Sequence, residues 1–322
     1  MILIGGPDSG KTNYIGRLWP SFRRRKGALR AEKLPDNIEY VDGAVEHLMQ
    51  GGFAPRSDRN LEEGRRDFSI QVRNANGAGP LTELLVPDIS GELWTMAVQT
   101  SELPEGWMRS LQGAEGAILF VRAHSPLNVQ PMDWVTARCL LKFHSEDPES
   151  DDVSISERIG ATPSLPAKVE LAHEPEKKSD AESNSESTRP AMPKLPTQVI
   201  LCELLRYLDL MLTDRPNGEK PRVAVVVAAW DLLDSELQIS SPMAYLKRAF
   251  PLLAGRLSCP GRIDVRLFGL SIVGGDLEND PVFKQSFLKK DIVDQGWIVI
   301  DDNGSGLRND DITLPIAWAV GN

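Results

Sequence analysis

The chain has 322 residues and a formal net charge of −10, from 36 basic and 46 acidic side chains. Hydrophobic residues make up 41% and charged residues 25%, the range of an ordinary globular chain, which excludes a wholly disordered or fibrous one. At roughly 150 residues per domain the length admits two modest domains or one elaborated α/β domain. Cys139, Cys202 and Cys259 stand far apart with no Cys-x-x-Cys pair, so no disulfide framework or structural zinc is expected, and a reducing, cytoplasmic compartment is. The first residues lack the basic flank and long apolar stretch of a secretory signal. No run reaches the ~20 apolar residues of a membrane helix, so a membrane is not an expected partner. The acidic balance also argues against broad nucleic-acid binding.

In chain order, Met1–Ile4 reads as a strand, followed by a helix from Lys11 to about Trp19 that Pro20 should stop. A second helix signal covers Gly43–Gln50, and Asp67–Val72 and Glu83–Val86 are the next strands. Gly116–Val121 is a continuous apolar run, as a strand buried on both faces should be. Residues 144–197 then break the pattern. This stretch has 12 acidic and 6 basic residues, seven of the 23 prolines and no Phe, Tyr or Trp. Such a composition cannot bury enough apolar surface to offset its ordering entropy, so it reads as a disordered acidic insertion. After it come a helix over Val199–Leu212, a buried strand Val223–Ala228, a helix Ser241–Leu257 and a strand Ile263–Leu270. Last are a strand Trp297–Ile300, a turn-rich Asp301–Gly306 and a short apolar tail, Ile312–Val320. Alternating strands and helices predict an α/β three-layer sandwich with a mainly parallel sheet. The expected organisation is one domain in two parts, 1–143 and 198–322, split by the insertion at 144–197.

Gly5-Gly-Pro-Asp-Ser-Gly-Lys-Thr12 fits G-x-x-x-x-G-K-[ST] in full, with a strand before it and a helix after it. Gly5 and Gly10 permit backbone conformations and approaches that a Cβ blocks. Pro7, Asp8 and Ser9 fill the variable positions, Asp8 as a turn residue. The loop N–H groups converge on phosphate oxygens, Lys11 reaches the β- and γ-phosphates, and the Thr12 hydroxyl can ligate Mg²⁺. In Leu84-Leu-Val-Pro-Asp-Ile-Ser-Gly-Glu92 a strand ends at Asp88, suited to the Mg²⁺ shell, with Gly91 three residues on, where a backbone N–H can approach a γ-phosphate. Between the two, Ser57 is the candidate hydroxyl to join the metal. The strand end Val225-Val-Val-Ala-Ala-Trp-Asp231 places Asp231 to accept from guanine N1–H and its 2-amino group, donors that adenine lacks. Ser271 and its neighbours can offer backbone N–H groups to the base oxygen. His47, His124, His144 and His173 show no metal-ligand spacing.

This order of motifs resembles a Ras-like P-loop GTPase domain of the translation-factor-related (TRAFAC) class. The phrasing G-G-P-D-S-G-K-T, then P-D-I-S-G-E, then A-W-D-L-L-D is similar to the double-GTPase families of bacterial conflict (anti-phage) systems. The resemblance implies GTP and Mg²⁺ as ligands and a protein partner, either a stimulating protein or a neighbouring conflict-system component. It places Glu92 where many GTPases have a water-orienting Gln, and with Lys11 this gives the expected catalytic pair. It sets Asp231 at the last position of N-K-x-D, while Ala228 and Ala229 replace the Asn and Lys. Trp230 beside them is expected to be packed rather than to stack on the base. Arg56 and Arg59 read as solvated surface charges, so slow intrinsic turnover is expected. A nucleotide-dependent switch is the leading reading; a P-loop phosphotransferase and a non-hydrolysing nucleotide-binding scaffold are the alternatives.

Overall fold

A computed structural model describes residues 1–33, 38–55, 68–86, 91–130, 195–216, 218–302 and 304–321. They form one nine-stranded mixed sheet with helices on both faces. The strands are β1 (Ile2–Gly5), β2 (Leu29–Ala31), β3 (Phe68–Asn74), β4 (Thr82–Val86), β5 (Gly116–Arg122), β6 (Arg222–Ala228), β7 (Asp264–Ser271), β8 (Trp297–Asp302) and β9 (Ser305–Asn309). Their order is β2-β3-β4-β1-β5-β6-β7-β8-β9. The block β4-β1-β5-β6-β7 is parallel, and antiparallel strands extend it at both edges.

The apolar runs do what continuous hydrophobicity demands. Alternate residues of β1, β5 and β6 enter two separate cores, Ile2, Leu119 and Val225 on one face and Leu3, Ile118 and Val226 on the other. The first core is closed by α3 (Gly91–Thr100), α4 (Glu105–Gln112), α5 (Thr197–Met211), α7 (Pro242–Ala249) and α8 (Pro251–Leu257). The second is closed by α1 (Lys11–Arg23), α2 (Ile38–Met49) and α10 (Leu314–Val320). Two further helices, α6 (Ser235–Gln238) and α9 (Pro281–Leu288), flank the later strands.

Strand β1 lies between β4 and β5, so the chain crosses from one side of β1 to the other between those two strands. The helix after β1 packs on one face and those between β4 and β5 on the other. In open α/β sheets the crevice at such a reversal, outside the carboxyl ends of the strands, is where ligands bind.

Several expected boundaries move. Pro20 does not stop α1, which continues to Arg23. A helical proline costs about 3 kcal/mol, but Trp19 and Phe22 are both buried, and their burial repays it at ~1.5–3 kcal/mol each. The single helix expected over Ser241–Leu257 is two. Phe250, held before Pro251, sits at φ −136° and ψ 58°, outside the helical region as a residue preceding proline should be. The turn-rich Asp301–Gly306 is a hairpin whose second strand, β9, has no apolar alternation to announce it. The apolar tail is the helix α10, which lies against β5, and a Cβ at Gly116 would come 2.7 Å from the Ala319 carbonyl oxygen.

Residues 1–131 and 195–322 belong to one compact unit. Thr197, the last residue of the expected insertion, opens α5. Its N–H donates to the Val129 carbonyl and its hydroxyl accepts from the Val129 N–H, both at 2.8 Å. Residues 144–194 of the expected insertion lie outside the described residues. No described helix is long and apolar enough to cross a membrane.

Candidate functional site

Because β4, β1, β5, β6 and β7 run parallel, their carboxyl ends face one edge of the sheet. A cleft of about 650 Å³ opens there. Each of the five strands delivers residues to it: Gly6–Thr12 after β1, Gly91 and Glu92 beyond β4, Arg122 and His124 at β5, Ala228, Ala229 and Asp231 at β6, and Leu270, Ile272 and Asp276 at β7. Motifs that are far apart in sequence therefore meet by topology.

The loop after β1 turns through two left-handed residues, Asp8 at φ 57° and Gly10 at φ 84°. Gly10 caps α1 with no side-chain hydrogen bond, so no capping side chain occupies the first N–H groups of the helix. Gly5 lies beneath the loop, where a Cβ would come 2.9 Å from both Phe120 Cβ and Ser9 Oγ. The Lys11 ammonium folds back over the loop and donates to Gly5 O at 2.9 Å, Gly6 O at 3.2 Å and Ser9 Oγ at 3.1 Å. Burial lowers its pKa to about 8, and the negative charge of Glu92 partly opposes that shift. A half-buried cation that donates to two carbonyls and a hydroxyl, at an uncapped helix start, is chemically suited to a polyphosphate.

Gly91 begins α3 directly against this loop. A Cβ there would overlap the Gly6 carbonyl and the Pro7 nitrogen, so only glycine permits the approach. Glu92 follows on the cleft wall. Thr12 also lines the cleft. Ser57 and Asp88, the other two expected metal ligands, lie outside the described residues, as do Arg56 and Arg59. Among the described residues, no group of three or more His, Cys, Asp or Glu is placed to hold a metal.

At the opposite end of the cleft, Asp231 stands on a short 3₁₀ turn, Trp230–Leu232, which Ala229 enters in the left-handed region at φ 60°. Burial raises the Asp231 pKa, and a hydrogen bond from the Ser271 side chain works against that rise. Ser271 is itself fully buried below the cleft, and its Oγ accepts from Gly274 N at 2.8 Å. The structure thus joins two residues that the sequence named separately. It places the Ser271 hydroxyl on Asp231, in addition to any role of the neighbouring backbone.

Trp230 is a core residue. It is fully buried, its Nε1 donates to Gln238 O at 3.0 Å, and its ring packs where a Cβ on Gly269 would come within 2.5 Å. His124 is left-handed at φ 48° and meets the Tyr245 ring at 6.4 Å between centroids. Sequence reasoning missed Arg122 at the end of β5. Its Nε lies 4.0 Å from Asp8 Oδ2, and its charge is felt at Asp231. The one sequence signal was its position at the close of a buried apolar strand that enters the same sheet edge. Reasoning also missed Asn13, whose Oδ1 accepts from Ala54 N at 2.8 Å and ties α1 to the segment after α2.

A family model described as Double-GTPase 1 matches residues 2–319. No curated protein and no solved structure matches the chain.

Proposed function

The chain belongs to the Double-GTPase 1 family, and from that premise we propose that it is a molecular switch that binds GTP with Mg²⁺, hydrolyses it slowly and is stimulated by a protein partner. The family supports GTP binding and hydrolysis. The switch, the slow turnover and the partner, a component of a bacterial conflict system, are our reading. One observation carries it: five parallel strand ends converge on one cleft, with a phosphate-type loop at one end and a half-buried carboxylate at the other.

On this reading the triphosphate lies along Gly5–Thr12. Lys11 gives up its contacts with the loop carbonyls for phosphate oxygens, and the ammonium regains a full charge partner. Pro7, Asp8, Ser9 and Gly10 shape the loop, and Gly91 brings the start of α3 within reach of the terminal phosphate. Thr12, with Ser57 and Asp88, would hold Mg²⁺, which supplies charge neutralisation at the phosphates. Glu92 orients the attacking water. Asp231, with its Ser271 hydrogen bond, accepts from the guanine edge. Among the described residues we assign no arginine finger. A finger supplied by a partner would add ~10³–10⁵ in rate, which is why the isolated chain is expected to be slow.

The deciding experiment is nucleotide identification in the purified protein, followed by phosphate release from GTP and ATP. The wild-type chain should carry or bind guanine nucleotide and release phosphate slowly. Lys11→Ala should bind none, and Glu92→Ala should bind GTP but lose single-turnover hydrolysis. Bound adenine nucleotide would overturn the guanine assignment, and unchanged hydrolysis in Glu92→Ala would remove that residue from the reaction. Transfer to an acceptor would favour a phosphotransferase.

A further inference from the structure

Arg122 lines the cleft beside the phosphate loop, and its charge is felt at Asp231. It is the last residue of β5, and the sheet register pairs it with Ala228 at the end of β6. Paired residues of neighbouring strands project on the same face, so the Arg122 stem leaves the sheet on the side of Ala228. Its carbonyl accepts from Asn128 Nδ2 at 3.0 Å, which fixes the strand end. Its Nε lies 4.0 Å from Asp8 Oδ2 in the phosphate loop, and that carboxylate is held in turn by the Ser125 hydroxyl at 3.1 Å. The side chain is only 28% exposed, and the exposed part faces the cleft. One cation therefore stands between a carboxylate of the phosphate loop and the carboxylate at the far end.

The end of β6 offers nothing that could cover a flat ring. Ala228 and Ala229 present methyl groups, and the Trp230 indole is fully buried with its N–H spent on Gln238. We infer that the Arg122 guanidinium covers the face of the purine whose edge meets Asp231, so that Arg122 sets affinity for the nucleoside rather than for the phosphates. This rests on the reading of the cleft given above. The chemistry suits the task, because a guanidinium is planar, permanently charged and weakly hydrated, and it stacks on aromatic faces. The Asp8 carboxylate, 4.0 Å from Nε, biases its position before the ligand arrives, which leaves less rotamer freedom to lose on binding. A lysine could keep the ion pair with Asp8 but not the stacking.

The test compares GDP, guanosine and inorganic triphosphate as ligands of the full chain, with wild-type, Arg122→Ala and Arg122→Lys proteins at one salt concentration. Arg122→Ala should weaken GDP and guanosine by the same factor, roughly ten-fold, and leave triphosphate binding unchanged. Arg122→Lys should retain triphosphate and still lose most of the guanosine affinity. If Arg122→Ala does not fold, the lysine variant carries the same comparison. Weakening of GDP and triphosphate together with guanosine untouched would make Arg122 a phosphate contact and overturn the inference. So would three unchanged affinities. A wild-type protein that binds triphosphate but neither guanine ligand would instead sink the base-end reading, and one that binds none of the three would sink the reading of the whole cleft.

Discussion

The two ends of the cleft are built in opposite ways. The phosphate end is largely local: eight consecutive residues, Gly5–Thr12, supply the loop, its cation and the helix start, while Gly91 and Glu92 arrive from beyond β4. The base end is assembled from three strand ends, with Arg122 from β5, Asp231 just after β6 and Ser271 at the end of β7. The local end is fixed by backbone geometry, through left-handed residues and a close approach that only glycine allows. The assembled end is fixed by the register of a parallel sheet. A change at the first end should therefore disturb structure and all ligands together. A change at the second should alter which ligand is preferred and leave the loop intact.

Gly91→Ala should produce the largest effect and tests the first half of that contrast. Its Cβ meets backbone atoms of Gly6 and Pro7, which cannot rotate away as a side chain would. Overpacking of this kind costs about 1–3 kcal/mol, and contact with backbone puts this site at the upper end. Chemical denaturation should show the loss of stability, and calorimetry should show weakened binding of triphosphate, GTP and ATP alike. A Gly91→Ala protein with native stability and affinity would mean that α3 and the loop are not held together as described.

The same contrast explains what the sequence made legible. The loop could be read outright because its chemistry lies in consecutive residues with fixed spacing. The buried strands β5 and β6 could be read because continuous apolar runs are what two-sided burial requires. The link between Asp231 and Ser271 could not be read, since 40 positions separate them and only the β6–β7 register brings their strand ends together. Arg122 was invisible for the same reason: nothing local distinguishes it from any other arginine at a strand end. The course of α1 beyond Pro20 was missed because a local rule was outweighed by the burial of Trp19 and Phe22. Strand β9 was missed because an exposed edge strand has no apolar face to pattern.

A second prediction separates the ends by pH and by ligand. Asp231→Ala should weaken guanine nucleotides by the ~1.5–3 kcal/mol of a charge-assisted hydrogen bond and leave inorganic triphosphate unaffected. Guanine N1–H and its 2-amino group together need two acceptor oxygens, which the ionised carboxylate supplies and the protonated one does not. Burial holds the Asp231 pKa above the ordinary 3.8, so guanine affinity should fall as pH is lowered through that raised value, and should do so at a higher pH than for a free aspartate. The Ser271 hydroxyl opposes the rise, so Ser271→Ala should shift the loss to higher pH still. Titrating GDP affinity from pH 7 downward in the three proteins checks this. A Ser271→Ala profile superimposed on wild type would show that the serine does not support Asp231.

Trp230→Phe should have the smallest effect on binding, and it tests whether the base end ends at Asp231 or continues into its neighbour. The indole is adjacent in sequence to the carboxylate, so a base-stacking role would predict a clear loss of GDP affinity. The geometry predicts the reverse. Its Nε1 is committed to Gln238 O, its ring fills the space above Gly269 and meets Tyr245 at 5.6 Å between centroids, and no part of it reaches the cleft. Phenylalanine would leave the Gln238 carbonyl one donor short and open a small void, for a combined cost of about 1–3 kcal/mol. Denaturation should therefore register the change while calorimetry with GDP does not. If affinity fell and stability held, Trp230 would belong to the ligand rather than to the core, and the covering of the base assigned to Arg122 would have to be shared.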